Sequence, residues 1–282
     1  MPIYNIYDVR LNIHIKIDTG MGRIGFTIDK SSLDDAVRVC QNSVLNAEGV
    51  FTHFSVADEG DEGREYTDRQ YHNFIKAVDY LKERNVYFAI KHCSNSAAIY
   101  DYSKFHLDMV RAGIVLYGLS PSQDVKCTIG LKNVMELMSV ISHIKIINKG
   151  DSISPGRTFT ASCQMKIATV PIGYADSFWR NNGEMRYSLK VNDKYAPIIG
   201  RVCKDQLMID VTDIDCALGD EVLIFGDDNK CSADEIARIN NTINYEVVCA
   251  VGERVPRIFV RDNDVVGWSD PICNIDEIRV IK

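Results

Sequence analysis

Lys16-Ile17-Asp18-Thr19-Gly20-Met21-Gly22-Arg23-Ile24-Gly25-Phe26 is the stretch whose reading decides the fold. Ile13, Ile15 and Ile17 alternate as a short buried strand would, and Gly20, Gly22 and Gly25 allow a tight backbone turn before the next helix. Lys16, Asp18 and Arg23 then stand at the mouth of a strand, where α/β proteins keep their chemistry. A surface turn held by a salt bridge accounts for the same residues, and no single short motif separates the two readings.

Outward from this stretch, to about Ser120, short apolar runs alternate with amphipathic helices. Strands are expected over 12–18, 49–54, 87–92, 109–111 and 114–117. Ser31 or Ser32 is expected to cap a helix running to about Gln41, and a long helix over 64–84 should turn Tyr71, Phe74, Ile75, Val78 and Leu81 inward. Repeated βα units predict a parallel sheet or a (β/α)8 TIM-type barrel. A closed barrel of this type needs eight strands. The four or five expected here predict a partial barrel lacking its first strands, with open edges.

Beyond Ser120-Pro121-Ser122 the pattern changes to short strands, expected over 137–148, 166–172, 189–191, 198–203, 207–211 and 221–225, with a hairpin turn at Asn192-Asp193. One helix interrupts them, opening at Ser232 with Glu235 three residues on as a capping box. The expected organisation is therefore a (β/α) domain over 1–129 and a β-rich domain over 130–282.

The bulk properties restrict the function classes. With 282 residues, 46% of them apolar and 25% charged, the chain has the composition of a globular protein with a substantial core. A net charge of −7 argues against a nucleic-acid partner, which would need a basic face. No apolar run is long enough to span a bilayer, and Met1-Pro2-Ile3-Tyr4-Asn5 lacks the basic and apolar regions of a leader, so a cytoplasmic location is expected. The nine cysteines stand singly with no Cys-x-x-Cys pair, which suggests neither a zinc site nor a disulfide framework and leaves most of them as small buried hydrophobes.

Several residues carry possible chemistry. His53 ends an apolar run ahead of Asp58-Glu59-Gly60-Asp61, and is readable as structural or as catalytic. His92-Cys93-Ser94-Asn95-Ser96 ends a strand and opens a helix, placing Ser96 where an anion could dock or where an ordinary helix cap would sit. Arg111-Ala112-Gly113-Ile114 brings a cation to another strand end, with a glycine beside it.

Taken in order, KIDTGMGRIGF (16–26), FTHFSVADEGD (51–61), HCSNSAA (92–98), MVRAGIVLYGL (109–119), ATVPIGYADS (168–177), IIGRVCKDQLMIDVT (198–212) and NYEVVCAVGERVPRIF (244–259) closely resemble the alanine racemases. These are fold-type III enzymes that use pyridoxal 5′-phosphate (PLP) to interconvert L- and D-alanine, supplying D-alanine for peptidoglycan. The resemblance runs from about Leu11 to Val260. It implies that Arg111 faces the PLP pyridine nitrogen, that His53 orients this arginine, and that Ser96 with the backbone of Gly113 and Ile114 cradles the phosphate. It further implies that Arg23 lies near the cofactor's phenolic oxygen and the substrate carboxylate, with Lys16, often carbamylated in the family, beside it. Tyr174 and Asp205 match residues that reach across a head-to-tail dimer into the partner's site.

The resemblance also implies losses. Racemisation needs a proton-moving group on each face of the reacting carbon. The family's Schiff-base lysine ends the first barrel strand, and the chain is expected to begin after it. The second group, a tyrosine, falls at Pro155 when Gly156 and Arg157-Thr158-Phe159-Thr160 are aligned. Lys204 replaces a methionine beside the substrate carboxylate, and Glu253 replaces a tyrosine that meets the phosphate. Three readings follow: a racemase inactive as this polypeptide alone; a silent homologue acting as an interaction or regulatory subunit, in a homodimer or in a heterodimer with an intact racemase; and a new Schiff base at Lys204.

Overall fold

A computed structural model describes residues 10–126, 130–185 and 187–273, and the backbone of 275–278. Cys127 and the opening Met1-Pro2-Ile3-Tyr4-Asn5 lie outside the described residues. The chain divides into two units, 1–132 and 133–282.

In the first unit, β1 (Leu11–Asp18), β2 (Phe26–Thr27), β3 (Leu45–Phe51) and β4 (Ile90–His92) form a wholly parallel sheet in the order β2-β1-β3-β4. Helices α1 (Lys30–Cys40) and α2 (Arg64–Lys82) make the crossovers, and a shorter helix, α3 (Ser96–Asp101), follows β4. Ile15, Ile17 and Val50 of the sheet pack with Leu33 and Ala36 of α1 and with Phe74, Ala77 and Leu81 of α2. Removing these apolar side chains from water supplies the main driving force for the unit. Because the strands are parallel, the residues following β1, β3 and β4 all emerge at one end of the sheet.

Several expectations are corrected. The cap of α1 is Asp29, whose carboxylate accepts from the Ser32 amide, while the Ser32 hydroxyl accepts from the Thr27 amide and is not available as a cap. The buried residues of α2 are Thr67, Gln70, Phe74, Ala77 and Leu81. Tyr71, Ile75 and Val78 are partly buried and pack against the core beside them, as expected. Residues 114–117 form a 3-10 turn, not a strand, between Gly113 and a left-handed Gly118, with Ile114 buried beneath it. Residues 109–111 contribute a single parallel bridge, from Met109 to His92.

The second unit is β-rich. β5 (Leu137–Val140), β10 (Ser188–Val191), β11 (Lys194–Pro197) and β13 (Glu221–Phe225) form an antiparallel sheet in the order β11-β10-β13-β5, and β6 (His143–Ile147), β9 (Met165–Val170) and β12 (Leu207–Asp210) another in the order β12-β9-β6. β7 (Ser152–Ile153) pairs with β8 (Phe159–Thr160), and β14 (Arg257–Arg261), β15 (Asp264–Asp270) and β16 (Ile275–Ile278) make a meander. Helices α4 (Asn181–Glu184), α5 (Ala233–Ile239) and α6 (Asn244–Ala250) complete it. Ile167, Leu189, Ile198, Leu207, Ile209 and Ile224 are fully buried.

Asn192 and Asp193 form the hairpin turn with φ of 47° and 62°, the left-handed pair that such a turn requires. Residues 198–203 hold only one bridge, Ile198 to Ile209, because Gly200 turns to a φ of +74° with the Ser154 side chain against it. Ser232 caps α5 by accepting from the Glu235 amide, but the Glu235 carboxylate pairs with Arg238 on the next turn, so half of the box forms. Of the eight cysteines described, only Cys93 and Cys231 are buried, and Cys163, Cys249 and Cys273 are exposed, against the expectation that most pack inside. Among the described residues no helix is long and apolar enough to cross a membrane.

Candidate functional site

The ends of β1, β3 and β4 and the bridged segment at Met109 converge on one guanidinium. Arg111 Nη1 donates to His92 Nδ1 at 2.6 Å, and Nη2 is shared among the Thr52 carbonyl (3.0 Å), His53 Nδ1 (3.1 Å) and the Cys93 carbonyl (3.3 Å). Its backbone amide is held by Ser94 O at 3.0 Å, and the guanidinium lies 5.3 Å from the centre of the Phe51 ring. Among the described residues, Arg111 Nε–H has no partner. The side chain is thus fixed through its two outer nitrogens, with Nε–H and the second N–H of Nη1 left without a protein partner among the described residues.

Both histidines are neutral acceptors here. Burial, and then the positive charge of Arg111, push the pKa values of His53 and His92 down to about 4. Burial also lowers Lys16 to about 8, with Arg111 and Arg23 adding to the effect and Asp18 opposing it. The Lys16 ammonium donates to the Ile17 carbonyl at 3.1 Å and sits above the same Phe51 ring. Asp18 is not free to pair with it in full. Its Oδ1 accepts from the amides of Gly20, Met21 and Gly22 at 3.0, 3.0 and 3.1 Å, so the loop after β1 is folded around this carboxylate. Burial alone would raise the Asp18 pKa, but these amides outweigh it and hold the pKa below the usual value. Gly25, at φ +118°, closes the loop against the Lys16 carbonyl and the Asp18 amide, where any Cβ would collide.

Ser96 is the first residue of α3, and Asn95 rather than Ser96 caps it. The Ser96 hydroxyl oxygen accepts from the Gly113 amide at 2.9 Å, which leaves its own proton to donate. Lys16, Arg23, His53, Ser96, Arg111, Gly113 and Ile114 therefore all belong to the sheet end or the turns joined to it. Sequence reasoning missed two members. His92 is the strongest partner of Arg111, and Gln70, fully buried on α2, receives the Ser55 amide and hydroxyl and donates to Thr19 Oγ1 and the His53 carbonyl. A glutamine on the inward face of an amphipathic helix was the available signal.

In the second unit, Gly173 lies so close to the Cys203 and Lys204 carbonyls that a Cβ would stand 2.3 Å from each oxygen. The amides of Tyr174 and Ala175 donate to those same carbonyls at 3.1 and 2.9 Å, which brings Tyr174, Lys204 and Asp205 together. Arg254, another residue the sequence did not single out, pairs with Asp176 at 3.0 Å and Asp205 at 2.9 Å, placing its neighbour Glu253 at this cluster. Pro155 is exposed on an adjoining loop. Ser154 Oγ accepts from the Arg201 amide at 2.7 Å, and Ser154, Gly156 and Arg157 all have positive φ.

Family comparison agrees with this division. The model described as "Alanine racemase, N-terminal domain" matches residues 7–121, and that described as "Alanine racemase, C-terminal domain" matches 134–259. The chain belongs to the alanine racemase family. An alanine racemase of Clostridium tetani is 44% identical over 259 residues, covering 90% of this chain and 66% of that protein. One of Desulforamulus reducens is 44% identical over 253 residues, covering 89% of this chain and 67% of the relative. The chain thus spans about two thirds of the length of these relatives.

Among solved structures, the alanine racemase of Clostridium difficile has a TM-score of 0.90 at 41% identity, covering 94% of this chain and 69% of that one. The Bacillus anthracis alanine racemase with bound L-Ala-P has a TM-score of 0.89 at 36% identity, covering 96% and 71%. The fold is accordingly that of the alanine racemases, a TIM-barrel-like domain followed by a β-rich one. The family is PLP-dependent.

Proposed function

We propose that the first unit binds PLP at the mouth of its parallel sheet. In this reading, Arg111 Nε–H meets the pyridine nitrogen, and Ser96 with the backbone of Gly113 and Ile114 holds the phosphate. Lys16 and Arg23 provide the positive charge for a substrate carboxylate, with alanine as the substrate by family. The unspent Nε–H of a guanidinium held in place through both of its outer nitrogens carries the reading. The Ser96 hydroxyl supports it, because its oxygen is occupied and its proton remains to be donated. Bound PLP supplies an electron sink for the α-carbon of an amino acid. Arg111 limits that sink, since a guanidinium donates a hydrogen bond to the ring nitrogen but does not surrender the proton. His53 and His92 hold Arg111 without competing for its charge, both being uncharged near neutral pH.

The same reading makes this polypeptide inactive as a racemase by itself. At the β-domain position that should move a proton stands Pro155, which has no titratable group and no backbone N–H. PLP added to the purified chain is expected to bind, and Arg111→Ala to weaken binding by about tenfold or more, as for loss of a charged hydrogen bond. No D-alanine above the host-enzyme background should form from L-alanine. PLP affinity unaffected by Arg111→Ala would overturn the site, and turnover of L-alanine would overturn the inactivity.

A second reading, as a regulatory partner of an intact racemase, is favoured by the anchoring of the Pro155 loop through Ser154 and Arg201. Dimers with shared sites would present Pro155 to the intact partner. Co-expression should then lower racemase activity, and unchanged activity in isolated mixed dimers would exclude it.

A further inference from the structure

The hydrogen bonds around Arg111 do not stop at His92. His92 Nε2 lies 2.7 Å from His14 Nδ1, the two rings are tilted with centroids 5.0 Å apart, and His14 Nε2 lies 3.5 Å from Glu48 Oε2. The direction of the chain follows from donor chemistry. Arginine only donates, so His92 Nδ1 must present its lone pair and the His92 proton sits on Nε2. That proton is given to His14 Nδ1, so the His14 proton sits on Nε2 and points at Glu48. The β1–β3 pairing is built to allow this. Its register runs Ile13 to Ala47 and then His14 to Gly49, so Glu48 is the extra residue of a bulge, the device by which strands re-aim a side chain. Gly49 takes the place opposite the ring, where a Cβ would stand 2.5 Å from His14 Nδ1. Phe51 stacks on His92 with an interplanar angle of 1°, which closes the other side.

We propose that His14 is a positioning residue for Arg111: as the acceptor for His92 Nε2–H, it holds the His92 ring so that Nδ1 meets the guanidinium. Without that acceptor, the Nε2–H of His92, a residue only 3% exposed, would be buried without a partner, and the ring would turn to recover one. The consequence for PLP rests on the reading given under Proposed function, but the hold on Arg111 does not.

The test compares two variants of the full chain that separate hydrogen bonding from packing. His14→Asn keeps an acceptor near the place of Nδ1, whereas His14→Phe keeps an aromatic ring and removes the acceptor. The first readout needs no PLP: solvent exchange of the Arg111 side-chain N–H groups and the ¹⁵N shifts of His92, by NMR on ¹⁵N-labelled protein. His14→Phe should speed Arg111 exchange about three- to tenfold, the worth of one hydrogen bond, and His14→Asn should leave it close to that of the unaltered chain. The second readout is PLP affinity, expected to fall by a similar factor in the Phe variant alone.

If Phe preserves slow exchange and Asn does not, the role is packing and the proposal fails. It fails equally if His92 carries its proton on Nδ1, or if neither variant alters exchange. Exchange that responds as expected while PLP does not bind would keep this proposal and remove the cofactor reading instead.

Discussion

At the mouth of the parallel sheet, four protein acceptors from the ends of β3 and β4 fix the guanidinium of Arg111. At the Pro155 loop, the fixed element is the backbone: three left-handed residues and one hydroxyl tied to Arg201, with the side chain between them unable to carry a proton. The first region keeps its chemistry because the groups that hold Arg111 are largely carbonyls and buried rings, which the fold itself maintains. The second is held by its backbone alone, because a loop set by φ angles and by Ser154 accepts any side chain compatible with that backbone. On the proposed reading of Pro155, placing a hydroxyl there should give the largest effect. In mixed dimers with an intact racemase, Pro155→Tyr is expected to raise turnover at the site receiving this loop by roughly 10²- to 10⁴-fold, the usual contribution of a positioned acid or base. A rate unchanged by the substitution would mean that this loop does not face a partner's site.

Acid should separate the two units. His53 and His92 have pKa values of about 4 in the folded chain against 6.5 in an unfolded one. The unfolded state therefore binds more protons between those values, and the stability of the first unit should decline as pH falls from about 6.5 toward 4. The loss is on the order of 3 kcal/mol, allowing for the partial exposure of His53. In the second unit, the amides of Cys231 and Lys230, with Tyr195 and Lys190, outweigh burial and hold Asp228 at about 2 against an ordinary 3.8. Its contribution is present above 3.8 and lost only as pH falls toward 2. Urea unfolding followed by hydrogen exchange at pH 7, 5.5 and 4.5 should show β1, β3 and β4 weakening before β9, β10 and β13. Parallel loss in both units would refute the assignment of neutral histidines.

A smaller effect is expected at Gln70, which joins α2 to the ends of β1 and β3. Gln70→Leu removes the acceptor of the Ser55 amide and the donor to the His53 carbonyl, and should cost about 1–3 kcal/mol in urea unfolding of the first unit. A cost near zero would show that the His53 segment is held without it.

How much of this was legible in the sequence differs between the two regions for physical reasons. The alternation of Ile13, Ile15 and Ile17 and the glycines after Asp18 made the βα order readable, since each reflects a local requirement of the backbone, whereas of the groups around Arg111 only His53 was named, and that through the family resemblance of the ordered motifs. The His14–His92 contact was not legible. It depends on a strand register and on a bulge at Glu48, and neither leaves a periodic trace. In the second unit, the Asn192-Asp193 turn was readable from its residue types, whereas Arg254 joins Asp176 and Asp205 across a long sequence separation and was invisible. The strand expected over 114–117 failed because four apolar residues between glycines suit a 3-10 turn as well as a strand, and only the missing partner distinguishes them.

The smallest effect tests the same lesson at a helix end. Three residues near the start of α1 have capping chemistry, Asp29, Ser31 and Ser32, and composition does not choose among them. The geometry does. The Asp29 backbone is extended, at φ −73° and ψ 155°, and its carboxylate reaches the Ser32 amide at 3.0 Å. Ser32 lies inside the helix and ties back to Thr27. Asp29→Ala should therefore cost about 1 kcal/mol, Ser31→Ala close to nothing, and Ser32→Ala an intermediate amount through the lost bond to Thr27. The Asp29 hydrogen bonds also hold its carboxyl below the usual pKa, the Thr27 hydroxyl foremost and the Ser32 amide next. The Asp29→Ala cost should consequently shrink as that carboxyl is protonated, whereas the Ser32→Ala cost should not change with pH. Equal costs for Asp29→Ala and Ser31→Ala at pH 7 would return the cap to the serines.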